Sequence, residues 1–126
     1  MPVIINGTTG ITDVNGTAAA PALTGTDTDT GIFFPAANTL AFSTNGTEDA
    51  RFDSAGNFGL GVTPSAWDTF KAFDVNTFGS LFASTGSVQL SGNLYYASSA
   101  YKYKTTGAAS IYVQTAGQHQ WYNAPS

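Results

Sequence analysis

Residues 38–62 read NTLAFSTNGTEDARFDSAGNFGLGV, and this stretch predicts three short antiparallel strands joined by two tight turns. The turns fall at residues 44–46 (TNG) and 54–56 (SAG), and each is a three-residue loop that ends in glycine. A type I turn followed by a left-handed residue has this pattern, because glycine at the last position avoids the clash of a Cβ atom. The stretch therefore predicts a small β-meander.

The apolar pattern selects the register of this meander. With Ser43 opposite Thr47 and Asp53 opposite Asn57, the apolar side chains fall on one face, because side chains alternate along a strand. A two-residue turn at 45–46 would split the apolar set. The predicted apolar face consists of Leu40, Phe42, Ala50, Phe52, Phe58, Leu60 and Val62. No helix is predicted to cover this face, so another surface must cover it.

The composition of the chain excludes several classes of protein. Charged residues make up 10% of the 126 residues, aromatic residues make up 13%, and the formal net charge is -4. Nucleic-acid binding needs clustered Lys and Arg, which this chain does not have, and disorder goes with few aromatic residues and many charges. No stretch approaches the roughly 18 apolar residues of a membrane helix. Many aromatic side chains with few charges instead favour surface that is buried against another chain.

The order of motifs predicts four segments. Residues 1–35 form an extended arm with apolar clusters at 3–5 and 32–34, residues 36–64 form the meander, and residues 65–86 form a connector. Residues 87–126 form a second hairpin module that is expected to continue into a longer chain. Within the meander, Gly59 and Gly61 predict the close approach of another backbone.

The last hairpin repeats the turn design of the meander. Residues 115–117 (TAG) predict a third three-residue loop ending in glycine, with Gln114 opposite Gln118. This register predicts one face that collects Ile111, Val113, His119 and Trp121.

Catalytic and metal-binding residues are not predicted. The only histidine is His119, and there is no cysteine, so neither a nucleophile with its base nor a zinc spacing is present. Asp27 and Asp29 are spaced like two calcium ligands, but the glycine and the terminal glutamate of such a loop do not follow. Asp49 and Asp53 flank Arg51 on one strand face, which predicts surface charge pairing. We therefore expect no enzyme and no cofactor.

The aromatic residues of the second half leave two interpretations open. Exposed tyrosine and tryptophan rings with neutral amides suit the faces of sugars, and the same rings suit packing between subunits. The candidates for glycan contact are Tyr96, Tyr103 and Trp121.

Several stretches resemble the tail-fibre and virion-fibre proteins of tailed bacteriophages, in their N-terminal, virion-proximal region. These are residues 1–12 (MPVIINGTTGIT) and the long stretch 25–67. Within it, RFDSAGNFGLGVTP (51–64) is similar to the fibre run R-I-D-S-S-G-N-V-G-I-G-T-x-x-P. Residues 101–110 and 119–126 are also similar to fibre sequences. Phe52 and Phe58 stand where the fibre run has smaller aliphatic residues.

The resemblance implies a homotrimer whose chains intertwine or stack their sheets about one axis, which would cover the apolar face. The implied trimer core is Leu40, Phe42, Phe52, Phe58, Leu60 and Val62. The arm would attach the fibre to a tail adaptor, baseplate or capsid protein through Val3, Ile4, Ile5, Ile11, Ile32, Phe33 and Phe34. A distal region would bind the host surface, including its glycans.

The expected protein is therefore an all-β structural component of the virion, made in the bacterial cytoplasm. It is expected to bind neither nucleic acid nor membrane. The alternatives are a capsid fibre or decoration protein with the same trimer, and a carbohydrate-binding module that uses the tyrosine-rich second half.

Overall fold

A computed structural model describes residues 4–8, 10–12 and 14–126, and for residues 4–6 and 10–12 it describes the backbone alone. The described residues are all-β, as predicted, and most of the strands belong to a mixed sheet. The strands are β1 (Ile4–Asn6), β2 (Gly10–Thr12), β3 (Gly16–Thr17), β4 (Ala20–Pro21), β5 (Leu23–Thr24), β6 (Gly31–Phe33), β7 (Leu40–Thr44), β8 (Thr47–Phe52), β9 (Phe58–Leu60), β10 (Lys71–Val75), β11 (Gly79–Ser84), β12 (Ser87–Gly92), β13 (Leu94–Ala97), β14 (Ala100–Tyr103), β15 (Ala109–Thr115) and β16 (Gln118–Ala124).

The chain divides into two compact units, unit 1 (Met1–Asp49) and unit 2 (Ala50–Ser126), so the boundary lies within β8 and inside the predicted meander. The segment predicted as an extended arm contains three antiparallel pairs, β1 with β2, β3 with β4 and β5 with β6. The segment predicted as a connector, 65–86, contains β10 and β11.

Unit 1 is built around the antiparallel strands β5, β6 and β7. Ile32 of β6 lies opposite Leu23 on one side and opposite Phe42 on the other. Phe33 lies opposite Ala41, and both side chains are buried. Because side chains alternate along β6, Ile32 and Phe33 point to opposite faces, and Phe33 belongs to the buried face.

The turn between β7 and β8 corrects the predicted register. Only Asn45 and Gly46 separate Thr44 from Thr47, and both turn residues have positive φ, 48° and 70°. A two-residue type I′ turn requires positive φ at both positions, and Asn-Gly is its preferred sequence. The predicted three-residue loop with Ser43 opposite Thr47 is therefore wrong. The hydroxyl of Thr44 donates to a carboxylate oxygen of Asp49 across the hairpin, 2.7 Å away.

The second predicted turn has the predicted register. Phe52 lies opposite Phe58 and Ala50 opposite Leu60. The Asp53 amide donates to the carbonyl of Asn57 at 3.0 Å, and residues 54–56 close the loop. At this turn the apolar alternation and the three-residue loop predict the same register.

The sheet of unit 2 has the strand order β8-β9-β10-β11-β12-β15-β16. All neighbouring strands are antiparallel except β9 and β10, which are parallel and are joined by the crossover segment 61–70. A Cβ atom on Gly59 would lie 2.1 Å from the carbonyl oxygen of Val62. The predicted close approach of backbone is thus confirmed at Gly59, since only glycine lets the crossover begin so tightly against β9. At Gly61 the prediction is wrong, because a Cβ atom there would meet the side-chain oxygen of Asn76, at 2.4 Å.

The core of unit 2 lies between one face of this sheet, the inner face, and a cover made by the crossover segment and the β13–β14 hairpin. Its buried apolar members are Trp67, Ala72, Phe82, Leu94, Ala109 and Ile111. The rings of Trp67 and Phe82 have centroids 4.6 Å apart, and those of Phe70 and Phe82 5.6 Å apart. Trp67 of segment 61–70 is therefore a core residue, and Phe70 packs against the core.

A buried ion pair lies beside this core. Asp74 is 1% exposed, and its carboxylate lies 2.9 Å from the ammonium of Lys104. The same carboxylate accepts hydrogen bonds from the amide of Ser65, the indole of Trp67 and the hydroxyl of Ser80, at 2.8, 3.2 and 2.7 Å. A buried charge needs this degree of pairing. Here these contacts connect the crossover segment, β11 and residue 104 through the carboxylate of Asp74.

Asn93 organises the segment after β14 in the same way. It is fully buried in a left-handed conformation, with φ 61°, and its side-chain amide donates to the carbonyls of Thr105 and Gly107 at 3.1 Å. Its side-chain oxygen accepts from the amide of Thr105 at 2.8 Å. These bonds satisfy the backbone of a loop that has no strand partner.

The last hairpin corrects the second predicted register. Thr115 lies opposite Gln118, so Ala116 and Gly117 form a two-residue turn, again with positive φ at both positions, 48° and 75°. His119 then lies opposite Gln114, and Trp121 opposite Tyr112. The predicted face that combined Ile111 and Val113 with His119 and Trp121 is therefore wrong.

Candidate association surface

An unbroken apolar row crosses the outer face of the unit 2 sheet, the face turned away from its core. Each strand of the sheet contributes one side chain, and each lies opposite the next in the register. We call it the apolar row: Phe52, Phe58, Phe73, Leu81, Leu90, Tyr112 and Trp121. The row follows from strand alternation, because the neighbours of these residues along each strand point to the opposite face of the sheet.

Four of the seven members of the row are exposed, and Phe58, Phe73 and Tyr112 are half-buried. Leu81 is 46% exposed, Leu90 57% and Trp121 75%. Phe58 is half-buried because its ring packs between Phe52 and Phe73, with centroids 4.8 and 5.3 Å away. Monomeric soluble proteins rarely expose such a contiguous apolar surface, so the row is the candidate association surface of this chain.

Further apolar residues widen the row on both sides. Leu60 and Val75 lie opposite each other and are 43% and 38% exposed. On the other side, Val88 is 50% exposed. The ring of Phe78 lies against the Cα atom of Gly92, where a Cβ atom would meet it at 2.7 Å. The outer face therefore presents a band, rather than isolated apolar side chains.

The polar members of this face lie at its margin. Lys71 lies opposite Ala83, and its ammonium donates to the carbonyl of Ala55. The Tyr112 hydroxyl is hydrogen bonded to Nδ1 of His119, and the two rings stack. His119 is thus a packed surface residue beside the row and has no carboxylate or nucleophile as its partner in the described hydrogen bonds.

The residues predicted as the trimer core divide between the two units. Phe52, Phe58 and Leu60 lie on the outer face of unit 2, and Val62 is half-buried in the crossover segment. Leu40 and Phe42 are half-buried in unit 1.

Sequence reasoning missed the rest of the row, which comprises Phe73, Leu81, Leu90, Tyr112 and Trp121. A sequence pattern that predicts part of the row was present in β11 and β12, where apolar Leu81 and Leu90 alternate with residues that face the core. The predicted register groups Trp121 with Ile111 and so separates it from Tyr112, because it makes the turn between their strands one residue too long.

The structure does not bring the predicted glycan contacts together. Trp121 lies in the apolar row. Tyr96 lies on the other side of the sheet, where its ring packs against Phe70 and Tyr101 with centroids 4.9 and 5.2 Å away. Tyr103 is exposed, and its hydroxyl donates to the carbonyl of Pro125 at 2.7 Å. No single ligand can therefore use these three rings as one site.

The predicted virion-anchoring residues are partly described. Val3 lies outside the described residues, and Ile4, Ile5 and Ile11 are described as backbone in the β1–β2 pair, where Ile5 lies opposite Ile11.

The second anchoring cluster lies in and after β6. Phe33 is buried, Ile32 is half-buried and Phe34 is 38% exposed. The amide of Phe34 donates to the carbonyl of Asn15 at 2.8 Å, which ties the end of β6 to the preceding segment. Phe33 is thus committed to the core of unit 1, and Phe34 is the member that a partner can reach.

Hydrogen bonds, burial and a neighbouring charge shift the pKa of several described acidic residues. Burial acts to raise the pKa of Asp74, but hydrogen bonds from Ser65, Lys104 and Ser80 and the charge of Lys104 together hold it below its ordinary value. A hydrogen bond from Thr30 lowers the pKa of Asp27. Among the described side chains, no group of three or more His, Cys, Asp or Glu is placed to hold a metal ion.

Comparisons with protein-family models, with curated proteins and with solved structures found no match to this chain. The part of the chain that the structure describes contains no helix with the length and apolarity needed to cross a membrane. The apolar row on the outer face of unit 2 is the feature that defines the candidate site.

Proposed function

We propose that this chain is a structural virion protein, the particle-proximal part of a homotrimeric bacteriophage tail fibre. The observation that carries the proposal is the apolar row, which crosses the whole width of the unit 2 sheet and leaves Phe52, Leu81, Leu90 and Trp121 exposed in an isolated chain. The resemblance of residues 25–67 to virion-fibre sequences supports the same function. Copies of the chain would cover one another's rows, as fibre subunits stacked about one axis do.

Burial of the row supplies the free energy of assembly. Complete burial of one large apolar side chain contributes about 1.5–3 kcal/mol, and the row offers one such side chain from every strand. The row contains no charged residue, so its burial carries no cost of charge desolvation.

Light scattering of the purified chain tests the trimer. We expect a mass three times the chain mass of 13.0 kDa at micromolar concentration. Leu90→Arg places a charge within the row and should yield monomers, because burying an unpaired charge is unfavourable. Thr85→Arg is the matched control, because Thr85 lies in the exposed turn between β11 and β12. A monomeric unmodified chain, or equal effects of the two substitutions, would contradict the proposal.

The arm at residues 1–35 would attach the fibre to the tail through its apolar clusters. Particles assembled with a chain lacking these residues should carry no fibres, while the truncated chain still forms trimers, because the row lies in unit 2. Fibres that remain on such particles would refute this function of the arm. Imaging of labelled particles distinguishes a tail fibre from the alternative, a fibre or decoration protein on the capsid.

A further inference from the structure

A cleft opens on the side of the unit 2 sheet opposite the apolar row. It lies between the ends of β15 and β16 and the β13–β14 hairpin, and its volume is about 620 Å³. Tyr101, Tyr103 and Tyr122 line it, and buried Ile111 lies at its floor. Small-molecule sites typically have volumes of about 300–1,000 Å³, mostly apolar walls and a few placed polar groups. The cleft has these properties.

The register of the last hairpin creates this cleft. Because Ala116 and Gly117 form a two-residue turn, Tyr122 lies opposite Ile111 and Gln120 opposite Val113, on the side of the core. Trp121 points to the other face. The cleft and the apolar row are therefore separate surfaces that use alternate residues of the same strand.

Hydrogen bonds between the lining side chains hold the tyrosine rings in place. The hydroxyl of Tyr101 donates to the side-chain oxygen of Gln89 at 2.5 Å, and that of Tyr122 donates to the side-chain oxygen of Gln120 at 2.7 Å. Each phenol oxygen still has lone pairs, and each glutamine amide has two N–H groups. One N–H of Gln89 donates to Ser87 and one of Gln120 donates to Gln118, so each glutamine has one N–H left for a ligand.

The lining carries no Asp, Glu, Lys or Arg. Burial raises the pKa of Tyr101, so its hydroxyl stays protonated at neutral pH. A charged ligand would find no counter-charge here, and a purely apolar ligand would cover the free amide N–H groups without pairing them. The ligand must therefore combine an apolar face with neutral hydroxyl groups.

We propose that this cleft binds the neutral pyranose ring of a glycan. The C–H face of the sugar would stack on the tyrosine rings, which are rigid apolar surfaces with a polar edge. The sugar hydroxyls would accept from the amides of Gln89 and Gln120 and donate to the phenol oxygens. The site differs from the three glycan contacts predicted from the sequence, of which only Tyr103 lines the cleft. It does not depend on the fibre function.

Nuclear magnetic resonance of the ¹⁵N-labelled full chain tests this site. The probes are the methyl glycosides of glucose, galactose, mannose and N-acetylglucosamine, added separately, with sialic acid as a charged comparison. We expect at least one neutral probe to give saturable shifts in the side-chain amides of Gln89 and Gln120, and sialic acid to give none. The absence of saturable shifts with every neutral probe would overturn the proposal, and so would shifts confined to residues outside the cleft.

Substitutions locate the binding. Tyr122→Ala should weaken binding about tenfold or more, and the matched control Trp121→Ala should leave it unchanged, since the neighbouring side chain points to the other face. Gln120→Ala serves as a second variant in case Tyr122→Ala weakens the hairpin, and it should also reduce the affinity. Equal loss in Trp121→Ala and Tyr122→Ala would place the sugar elsewhere. Light scattering of the same variants separates this result from the trimer, because the cleft variants should keep the mass of the unmodified chain.

Discussion

Tyr112 and Trp121 lie opposite each other on the two strands of the last hairpin, with their ring centroids 4.5 Å apart on the outer face. This pair ends the apolar row at the edge of the sheet. Their neighbours Ile111 and Tyr122 also lie opposite each other, but on the inner face, where they line the cleft. A single turn length thus decides which aromatic residue belongs to which surface.

Substitutions in the two corrected turns should change the free energy of unfolding in opposite directions. Asn45→Ala should destabilise unit 1 by about 1 kcal/mol, because a residue with a Cβ atom and no local hydrogen bond is strained at positive φ. Ala116→Asn should stabilise the last hairpin by a similar amount, because asparagine tolerates the conformation that Ala116 now adopts. Urea titration followed by amide signals of each hairpin measures both effects. If Ala116→Asn does not stabilise the last hairpin, the result would argue against type I′ geometry at Ala116.

The buried ion pair predicts a contrast between two lysines of one segment. Lys104→Met leaves the carboxylate of Asp74 buried without its cation and should cost about 3–5 kcal/mol. Lys102→Met is the matched control, because Lys102 is exposed on β14, and it should change the free energy of unfolding by no more than about 0.5 kcal/mol. Chemical denaturation measures both values, and similar losses in the two variants would refute the structural role of the pair.

The lowered pKa of Asp74 predicts acid sensitivity. Its folded pKa lies below the ordinary value of 3.8, so as the pH falls the unfolded chain binds this proton first. The stabilisation is therefore complete above the unfolded pKa and is lost as the pH falls from about 4 through the folded pKa. Thermal unfolding between pH 2 and 6, approximate limits set by ordinary carboxyl pKa values, should show a shallower slope in Asp74→Asn. Parallel slopes would assign the acid sensitivity to other carboxylates.

Two adjacent phenylalanines predict different outcomes in unit 1. Phe33 is 4% exposed and lies opposite Ala41, so Phe33→Ala should destabilise unit 1 by about 3–5 kcal/mol. Phe34 is exposed, and Phe34→Ala should change stability by no more than about 0.5 kcal/mol. If the arm anchors the fibre, Phe34→Ala should still reduce the number of fibres on assembled particles. Amide exchange of β6 reports the stability, and particle imaging reports the attachment.

The sequence allowed the fold class and one of three turn registers to be predicted. All three turns end in glycine, and the apolar alternation around Phe52 and Phe58 correctly required a three-residue loop at 54–56. At 45–46 the Asn-Gly pair was itself the stronger signal for a two-residue turn, and the prediction gave more weight to the apolar pattern. At Ala116 no local signal was available, because alanine is unusual at positive φ.

The two surfaces of unit 2 could be predicted only in part. The alternation in β11 and β12 identifies Leu81 and Leu90 as a pair on one face of the sheet. It does not show which face of the sheet the rest of unit 2 covers. Which face is covered depends on the packing of the β13–β14 hairpin and on the ion pair between Asp74 and Lys104. Both involve contacts between residues far apart in the sequence. The cleft also depends on this packing, so no motif marks it in the sequence.

The parallel pairing of β9 with β10 has a consequence for the kinetics of folding. Each antiparallel hairpin closes locally, on a timescale of about 1–10 μs, whereas β10 can join β9 only after segment 61–70 has crossed the sheet with Trp67 inserted. Non-local pairing carries loop-closure entropy before it gains contacts, so we expect this crossover to limit the folding rate. Folding chains would then expose the apolar side chains of the inner face during that interval, and expression at low temperature and low concentration should favour recovery of the native protein over precipitation.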